Sequence, residues 1–271
     1  MNTTGSKIRL GVFGGGNMGM AIADGAAAKG IFAPAEIGVF DISDEKLASA
    51  AGKGYIPYRS PSELFSGSEL VLFSVKPQNF EQLLPELRGI SPMPLIVTIA
   101  AGVSTGYIRG YLGSEARVVR VMPNTPLMIG KGASALCRTE NVSDGDFERV
   151  CGIFRALGAA EVLDEDKMNA VISVNGSSPA YVYYFIDAVA RSGEKQGLDY
   201  KTALNLAART FAGAAEMLMR DGRSPEELIR MVCSPGGTTI EAVKELDAAD
   251  VYGTVDRACR ACTRRAFEIG R

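Results

Sequence analysis

Two short runs hold the residue types from which chemistry can be built. Near the start, Gly14-Gly15-Gly16-Asn17-Met18-Gly19 is a G-x-G-x-x-G turn. Such a turn suits a dinucleotide pyrophosphate: Gly14 permits the tight bend, Gly16 has no Cβ to hold the phosphates away, and Gly19 lets helix and strand pack closely. Far downstream, Cys233-Ser234-Pro235-Gly236-Gly237-Thr238-Thr239-Ile240-Glu241 is a sharp turn that opens a helix. Its uncovered N–H groups at Gly236, Gly237 and Thr238 form a carboxylate site, with two hydroxyls following at once. Each run also has a plain structural reading, the first as an ordinary glycine turn and the second as a threonine helix cap with Glu241 in the first turn. The chain has no histidine among its 271 residues. That excludes histidine triads, H-E-x-x-H zinc sites and histidine general acids, and no metal is expected.

These residues need elements to position them. Ile8 to Phe13 reads as a strand leading into the glycine turn, and Met20 to Lys29 as the helix that leaves it. Ile37-Gly38-Val39-Phe40 reads as a second strand ending at Asp41, 22 residues after Gly19. An acidic side chain at that place accepts hydrogen bonds from the adenosine ribose and repels a 2′-phosphate, which favours NADH. Asp41 and Ser43 therefore join the candidate cofactor residues; the alternative is that Asp41, with Ser43 or Asp44, caps a helix over Glu45 to Ala51. Val71 to Val75, Leu95 to Ala100 and Val118 to Met122 read as further buried strands, with helices at Phe80 to Leu87 and Thr105 to Leu112. This alternation predicts a doubly wound parallel sheet over residues 1–163, with ligands bound outside the carboxyl ends of its strands. Three turns fall there: Val75-Lys76-Pro77-Gln78, Ala100-Ala101-Gly102 and Met122-Pro123-Asn124-Thr125-Pro126. Val75, Lys76, Pro77, Ala100 and Asn124 are accordingly expected in the cleft, although Lys76 could equally pair with a surface carboxylate.

From 164 to 271 the pattern is helical throughout: Asp166 to about Gln196, Lys201 to Arg220, Pro225 to Val232, Thr239 to Leu246 and Asp250 to Ile269. The stretch from Ala203 to Ala215 is apolar around most of its circumference and has to be surrounded. About 108 residues can hardly enclose it, so a second subunit is expected to cover it. A net charge of −2 offers no basic footprint for nucleic acid. No apolar run reaches the ~18 residues of a membrane span, and polar Met1 to Lys7 lacks a signal-peptide core. A cytoplasmic protein is expected, with its five cysteines reduced; Cys259-x-x-Cys262 lies within a continuous helical pattern and reads as ordinary helix cysteines.

The glycine turn, Val75-Lys76-Pro77, Met122-Pro123-Asn124-Thr125-Pro126, Asn175-Gly176-Ser177-Ser178-Pro179-Ala180-Tyr181 and Ser234-Pro235-Gly236-Gly237-Thr238-Thr239 occur in the order seen in pyrroline-5-carboxylate reductases. The resemblance spans essentially the whole chain. It implies a Rossmann-type domain followed by an all-helical dimerisation domain, and NADPH- or NADH-dependent reduction of a cyclic imine to proline. It further implies an active site between the nicotinamide and the Pro235 to Thr239 turn of the partner subunit, and dimers that often assemble into decamers. The substrate-binding set is then Ser177, Gly236, Gly237, Thr238, Thr239 and Glu165, with the Thr239 hydroxyl bonding the ring nitrogen as the catalytic group. Two positions depart from the pattern. Asn175 stands where the family usually has Ser, adding bulk beside the expected substrate site, and Asp41 stands where many relatives carry a neutral or basic group. Two alternatives stay open: a β-hydroxyacid dehydrogenase type of reductase, for which Lys167 lacks the glycine-asparagine context, and a nonenzymatic dinucleotide-binding protein.

Overall fold

The computed structural model describes residues 8–270; Met1 to Lys7, read above as lacking a signal-peptide core, lie outside them. Eight strands occur among the described residues: β1 (Ile8–Phe13), β2 (Ile37–Phe40), β3 (Ile56–Tyr58), β4 (Ser68–Phe73), β5 (Leu95–Thr98), β6 (Val118–Met122), β7 (Gly132–Arg138) and β8 (Gly158–Val162). Between them run α1 (Asn17–Ala28), α2 (Asp44–Gly52), α3 (Pro61–Gly67), α4 (Phe80–Leu87), α5 (Thr105–Leu112) and α6 (Asp144–Ala156). The strands form one sheet of order β3-β2-β1-β4-β5-β6-β7-β8. The expected sheet is parallel throughout. Here β7 runs antiparallel to β6, because the Pro123 to Lys131 connection returns directly instead of crossing over through a helix.

Alternating strand residues feed two cores, as a sheet covered on both faces requires. Leu70 and Leu72 of β4 join Leu10, Val12, Val119 and Val121 on one face, with Ile22 of α1 and Phe154 of α6. Val71 and Phe73 turn to the other, where Phe13, Phe65, Phe73 and Phe80 form an aromatic run. The Phe13 and Phe73 rings meet edge to face at 5.2 Å.

The chain divides into two compact units. One comprises residues 8–177 with 262–270; the other is Ser178–Ala261. The expected boundary at 163/164 thus falls fourteen residues before the change of unit, because the chain first passes under the sheet. The helix expected from Asp166 to Gln196 is broken there. A 3₁₀ turn at Glu165–Lys167 and a π-helical turn at Ile172–Gly176 precede α7 (Ser178–Lys195). Pro179 has no N–H to continue an earlier helix and sits in the first turn of α7, where none is needed. Met168 and Ile172 are buried with Met122, Ala135, Cys137 and Ala266 in a third cluster.

The second unit contains α7, α8 (Tyr200–Asp221), α9 (Pro225–Val232), α10 (Thr238–Ala248) and the first part of α11 (Val251–Ile269). Helices α7 and α8 pair as a hairpin through Gly197 at φ +96°, and Asp199 caps α8 by accepting from Thr202 N–H at 2.9 Å. Only Ala203 and Ala207 of α8 are buried, while Leu206, Met217, Leu218 and Met219 are exposed. The apolar circumference read from the sequence is therefore left largely open within one chain. No helix among the described residues is long and apolar enough to cross a membrane.

Candidate active site

The turn after β1 has the form its glycines demand. Gly14 sits at φ +104°, where an added Cβ would stand 2.7 Å from Ser74 O. At Gly19 it would stand 2.5 Å from Gly14 O and 2.8 Å from Ser74 Oγ, so the approach of helix to strand forbids a side chain. Gly16 differs from both. It is extended (φ −82°, ψ 178°), is the N-cap of α1 without any side-chain cap, and a Cβ there would meet nothing within 4 Å. Open space over uncapped N–H groups at a helix start is the cradle that a dinucleotide pyrophosphate fills, so the residues present fit that group.

Asp41 follows β2 and is nearly buried, its side chain 7% exposed. Oδ2 accepts from Gly15 N–H at 2.8 Å and from Lys46 Nζ at 3.1 Å, and Oδ1 accepts from Ser43 N–H at 2.9 Å. Its first task is thus to brace the glycine turn against the end of β2. Capping of α2 falls to Ser43, whose Oγ accepts from Lys46 N–H. The nearby base is Lys46; Arg59 pairs instead with Asp44 at 2.7 Å on the surface.

The remaining cleft residues follow adjacent strands. Val75, Lys76 and Pro77 lie after β4, Ala100 after β5, and Asn124 after β6. Together with the glycine turn and Asp41 they line the carboxyl ends of five neighbouring strands, on either side of the switch in strand order at β1. Lys76 is exposed, and no carboxylate among the described residues pairs with it. Gly102, at φ +80°, closes its turn against α11: a Cβ there would lie 2.7 Å from Ala266 O.

Two polar residues expected near the substrate have partners within the protein. Glu165 Oε1 accepts from Thr105 N–H at 2.7 Å, Oε2 accepts from Thr105 Oγ1 at 2.5 Å, and Arg120 Nη1 lies 3.7 Å away. Glu165 therefore fastens the start of α5 to the segment under the sheet. Arg120, 2% exposed on β6, also donates to Asn169 Oδ1 at 2.6 Å. Burial, with Glu165 adding, pushes the neighbouring Cys137 thiol up to about 12. Sequence reading missed this network because a lone Arg in a strand carries no signal of its buried partners. Asn175 is the second case. Its Nδ2 donates to Met122 O at 2.7 Å and to Ala133 O at 2.9 Å. Ser177, two residues on, has its Oγ 3.2 Å from Cys262 Sγ.

In the second unit, Gly236 at φ +71° makes the turn between α9 and α10, and Gly237 N–H donates to Ser234 O at 3.0 Å. A Cβ on Gly237 would lie 2.5 Å from Ser234 Oγ. The N-cap of α10 is Gly237, with no side-chain cap. Thr238 and Thr239 are the first two helical residues, so the threonine-cap reading is replaced by a helix start capped by the Gly237 backbone alone.

The family model for pyrroline-5-carboxylate reductase dimerisation matches residues 165–269, and one for NADP oxidoreductase, coenzyme F420-dependent, matches 9–102. The pyrroline-5-carboxylate reductase of Escherichia coli is 35% identical over 97% of this chain and 98% of its own length. This chain belongs to the pyrroline-5-carboxylate reductase family. The Pseudomonas aeruginosa reductase is 36% identical, with 97% of each chain covered. Among solved structures, Plasmodium falciparum pyrroline carboxylate reductase with NADP bound superposes with a TM-score of 0.90 at 29% identity, covering 97% of this chain and 98% of that one. Membership in the reductase family accounts for the order of the motifs along the whole chain, the uncapped start of α10 among them.

Proposed function

We infer that this chain is an NAD(P)-dependent oxidoreductase acting on a CH–NH bond, which reduces pyrroline-5-carboxylate to L-proline as the last step of proline biosynthesis. The observation that carries the reading is the near-complete family match joined to an intact Pro235 to Thr239 turn. When bound, NAD(P)H supplies the hydride. Gly14, Gly16 and Gly19 with the start of α1 would hold its pyrophosphate, Asp41 and Ser43 would lie at the adenosine end, and Val75 to Pro77, Ala100 and Asn124 would line the rest of the cleft. The N–H groups of Gly236, Gly237 and Thr238 take the substrate carboxylate, and Ser177 joins the substrate site. The Thr239 hydroxyl bonds the ring nitrogen. A protonated imine carbon is already electron-poor, and its reduction yields a neutral amine rather than an alkoxide. A weak donor therefore suffices, in keeping with a chain that has no histidine. Most of the rate enhancement comes from holding the two reactants in register.

The exposed apolar side chains of the second unit and the dimerisation match support a homodimer. We extend the reading to a decamer built of five such dimers and to the cytoplasm, where five free cysteines remain reduced. The test is NAD(P)H oxidation by the purified protein with pyrroline-5-carboxylate beside a panel of keto acids. Turnover confined to the imine is expected; turnover of a hydroxyacid or keto acid pair instead would overturn the assignment.

A further inference from the structure

The antiparallel pair β6–β7 ends in an unusual way. Thr139 N–H donates to Val118 O at 2.9 Å, which makes 118 and 139 a hydrogen-bonded pair. The register continues through Arg120 with Cys137 and Met122 with Ala135. The next such pair, two residues on, is Asn124 with Ala133. There side chains take over from the backbone. Asn124 Oδ1 accepts from Ala133 N–H at 2.9 Å, and Asn175 Nδ2 donates to Ala133 O at 2.9 Å. The second proton of the Asn175 amide goes to Met122 O at 2.7 Å, the carbonyl immediately before Pro123.

Pro123 has no N–H to offer a ladder, so β6 and β7 part at this point and the turn that carries Asn124 opens onto the cofactor edge of the sheet. Asn175 bridges the gap from below. It belongs to the π-helical turn Ile172–Gly176, a geometry that recurs at functional sites, and Ser177 follows it directly. Gly176 keeps that turn close, since a Cβ there would lie 3.2 Å from Met122 Sδ. One side chain therefore ties the cofactor-side turn of Asn124 to the substrate-side segment of Ser177. A serine hydroxyl has a single proton to donate and a shorter reach, so it cannot make both bonds.

We infer that Asn175 is a positioning residue for hydride transfer: by joining Met122 O and Ala133 O to the Ile172–Gly176 turn, it fixes the spacing between the cofactor and substrate sides of the site. This rests on the reductase reading above. It acts through other groups and touches neither reactant, so its loss should misplace them without abolishing their binding.

The experiment uses the full-length dimer with Asn175→Ala and Asn175→Ser, the second keeping one hydroxyl donor. Measured are kcat, the KM values, cofactor affinity, Tm, sedimentation, and the deuterium isotope effect on kcat with cofactor labelled at the transferred hydrogen. Asn175→Ala is expected to lower kcat ~5- to 50-fold and to raise the isotope effect as hydride transfer becomes limiting. Asn175→Ser, with one donor left, should recover part of that loss. Cofactor affinity and dimerisation should stay within about twofold of the unmodified protein. Unchanged kcat and isotope effect in both variants would overturn the inference alone, as would losses that only follow the fraction of folded dimer. An unmodified protein that leaves pyrroline-5-carboxylate unreduced would overturn the reductase reading and this inference with it.

Discussion

Gly16 and Gly14 lie two residues apart in one turn, and the structure separates their roles cleanly. Gly16 has extended backbone that any L residue adopts, and a methyl there would meet no protein atom within 4 Å. The cofactor-free protein should tolerate Gly16→Ala with a stability change within about ±0.5 kcal/mol, or gain slightly from a stiffer unfolded chain. Cofactor binding should suffer, because the methyl occupies the space into which the backbone must admit the pyrophosphate. A loss of ~10- to 100-fold in affinity is expected, equivalent to ~1.4–2.7 kcal/mol. Gly14→Ala should behave in the opposite order. Its φ of +104° and a Cβ 2.7 Å from Ser74 O impose strain that the neighbour cannot relieve, since Ser74 N–H is fixed on Phe13 O at 2.9 Å. Backbone strain of ~1–3 kcal/mol and overpacking of ~1–3 kcal/mol sum to ~2–6 kcal/mol of lost stability. Thermal melts without cofactor and a fluorescence titration with NAD(P)H check both variants. The reasoning is refuted if Gly16→Ala binds cofactor normally, or if it melts as early as Gly14→Ala.

On the proposed placement of Asp41 at the ribose, NADH should be at least as good a cofactor as NADPH, and Asp41→Asn should shift the kcat/KM ratio toward NADPH by ~10-fold; a strong NADPH preference in the unmodified protein contradicts this. Leu206 is 56% exposed within one chain, so Leu206→Glu should split the dimer in sedimentation while each chain stays folded. Ala207 is buried in the α7–α8 hairpin of its own chain, and Ala207→Glu should instead unfold it at a cost of several kcal/mol. Mixing chains inactivated at Gly16 with chains inactivated at Thr239 should restore about 25% of full activity if each site draws on two subunits, because one site in two is intact in the half of dimers that are mixed. Zero recovery would show that each chain completes its own site.

The strands that read clearly in the sequence are the buried ones. Leu95–Thr98 is an apolar run closed by Thr98, Val118–Met122 is apolar but for Arg120, and Asn17–Ala28 and Asp44–Gly52 follow glycine or cap signals that act within a few residues. Ile56–Tyr58 and Gly158–Val162 escaped notice because they are three and five residues long at the sheet edges, the latter largely exposed. The strand β7 was not read at all, because Gly132–Arg138 mixes small and polar residues with no β-branched ones, and its reversal went unread with it. The turns after β4, β5 and β6 were legible, since topology places such turns on one edge of the sheet. The partners of Glu165 and Asn175 were not legible, for a common reason. Local sequence names a polar group but not the distant backbone it will meet, whether Thr105 sixty residues away or Met122 fifty-three.

The central claim is that the Pro235 to Thr239 turn serves imine reduction and is not merely the start of a helix. It is tested most directly by following cofactor oxidation and proline formation together, with pyrroline-5-carboxylate as substrate, for the unmodified protein and Thr239→Val. Gly237 already occupies the cap position, so the substitution leaves the capping of α10 as it was. The account predicts stoichiometric proline formation by the unmodified protein. For the variant it predicts a ~10- to 1000-fold lower kcat, ~1.4–4 kcal/mol of transition-state stabilisation, with cofactor affinity unchanged. A folded Thr239→Val dimer that makes proline at the full rate would contradict it.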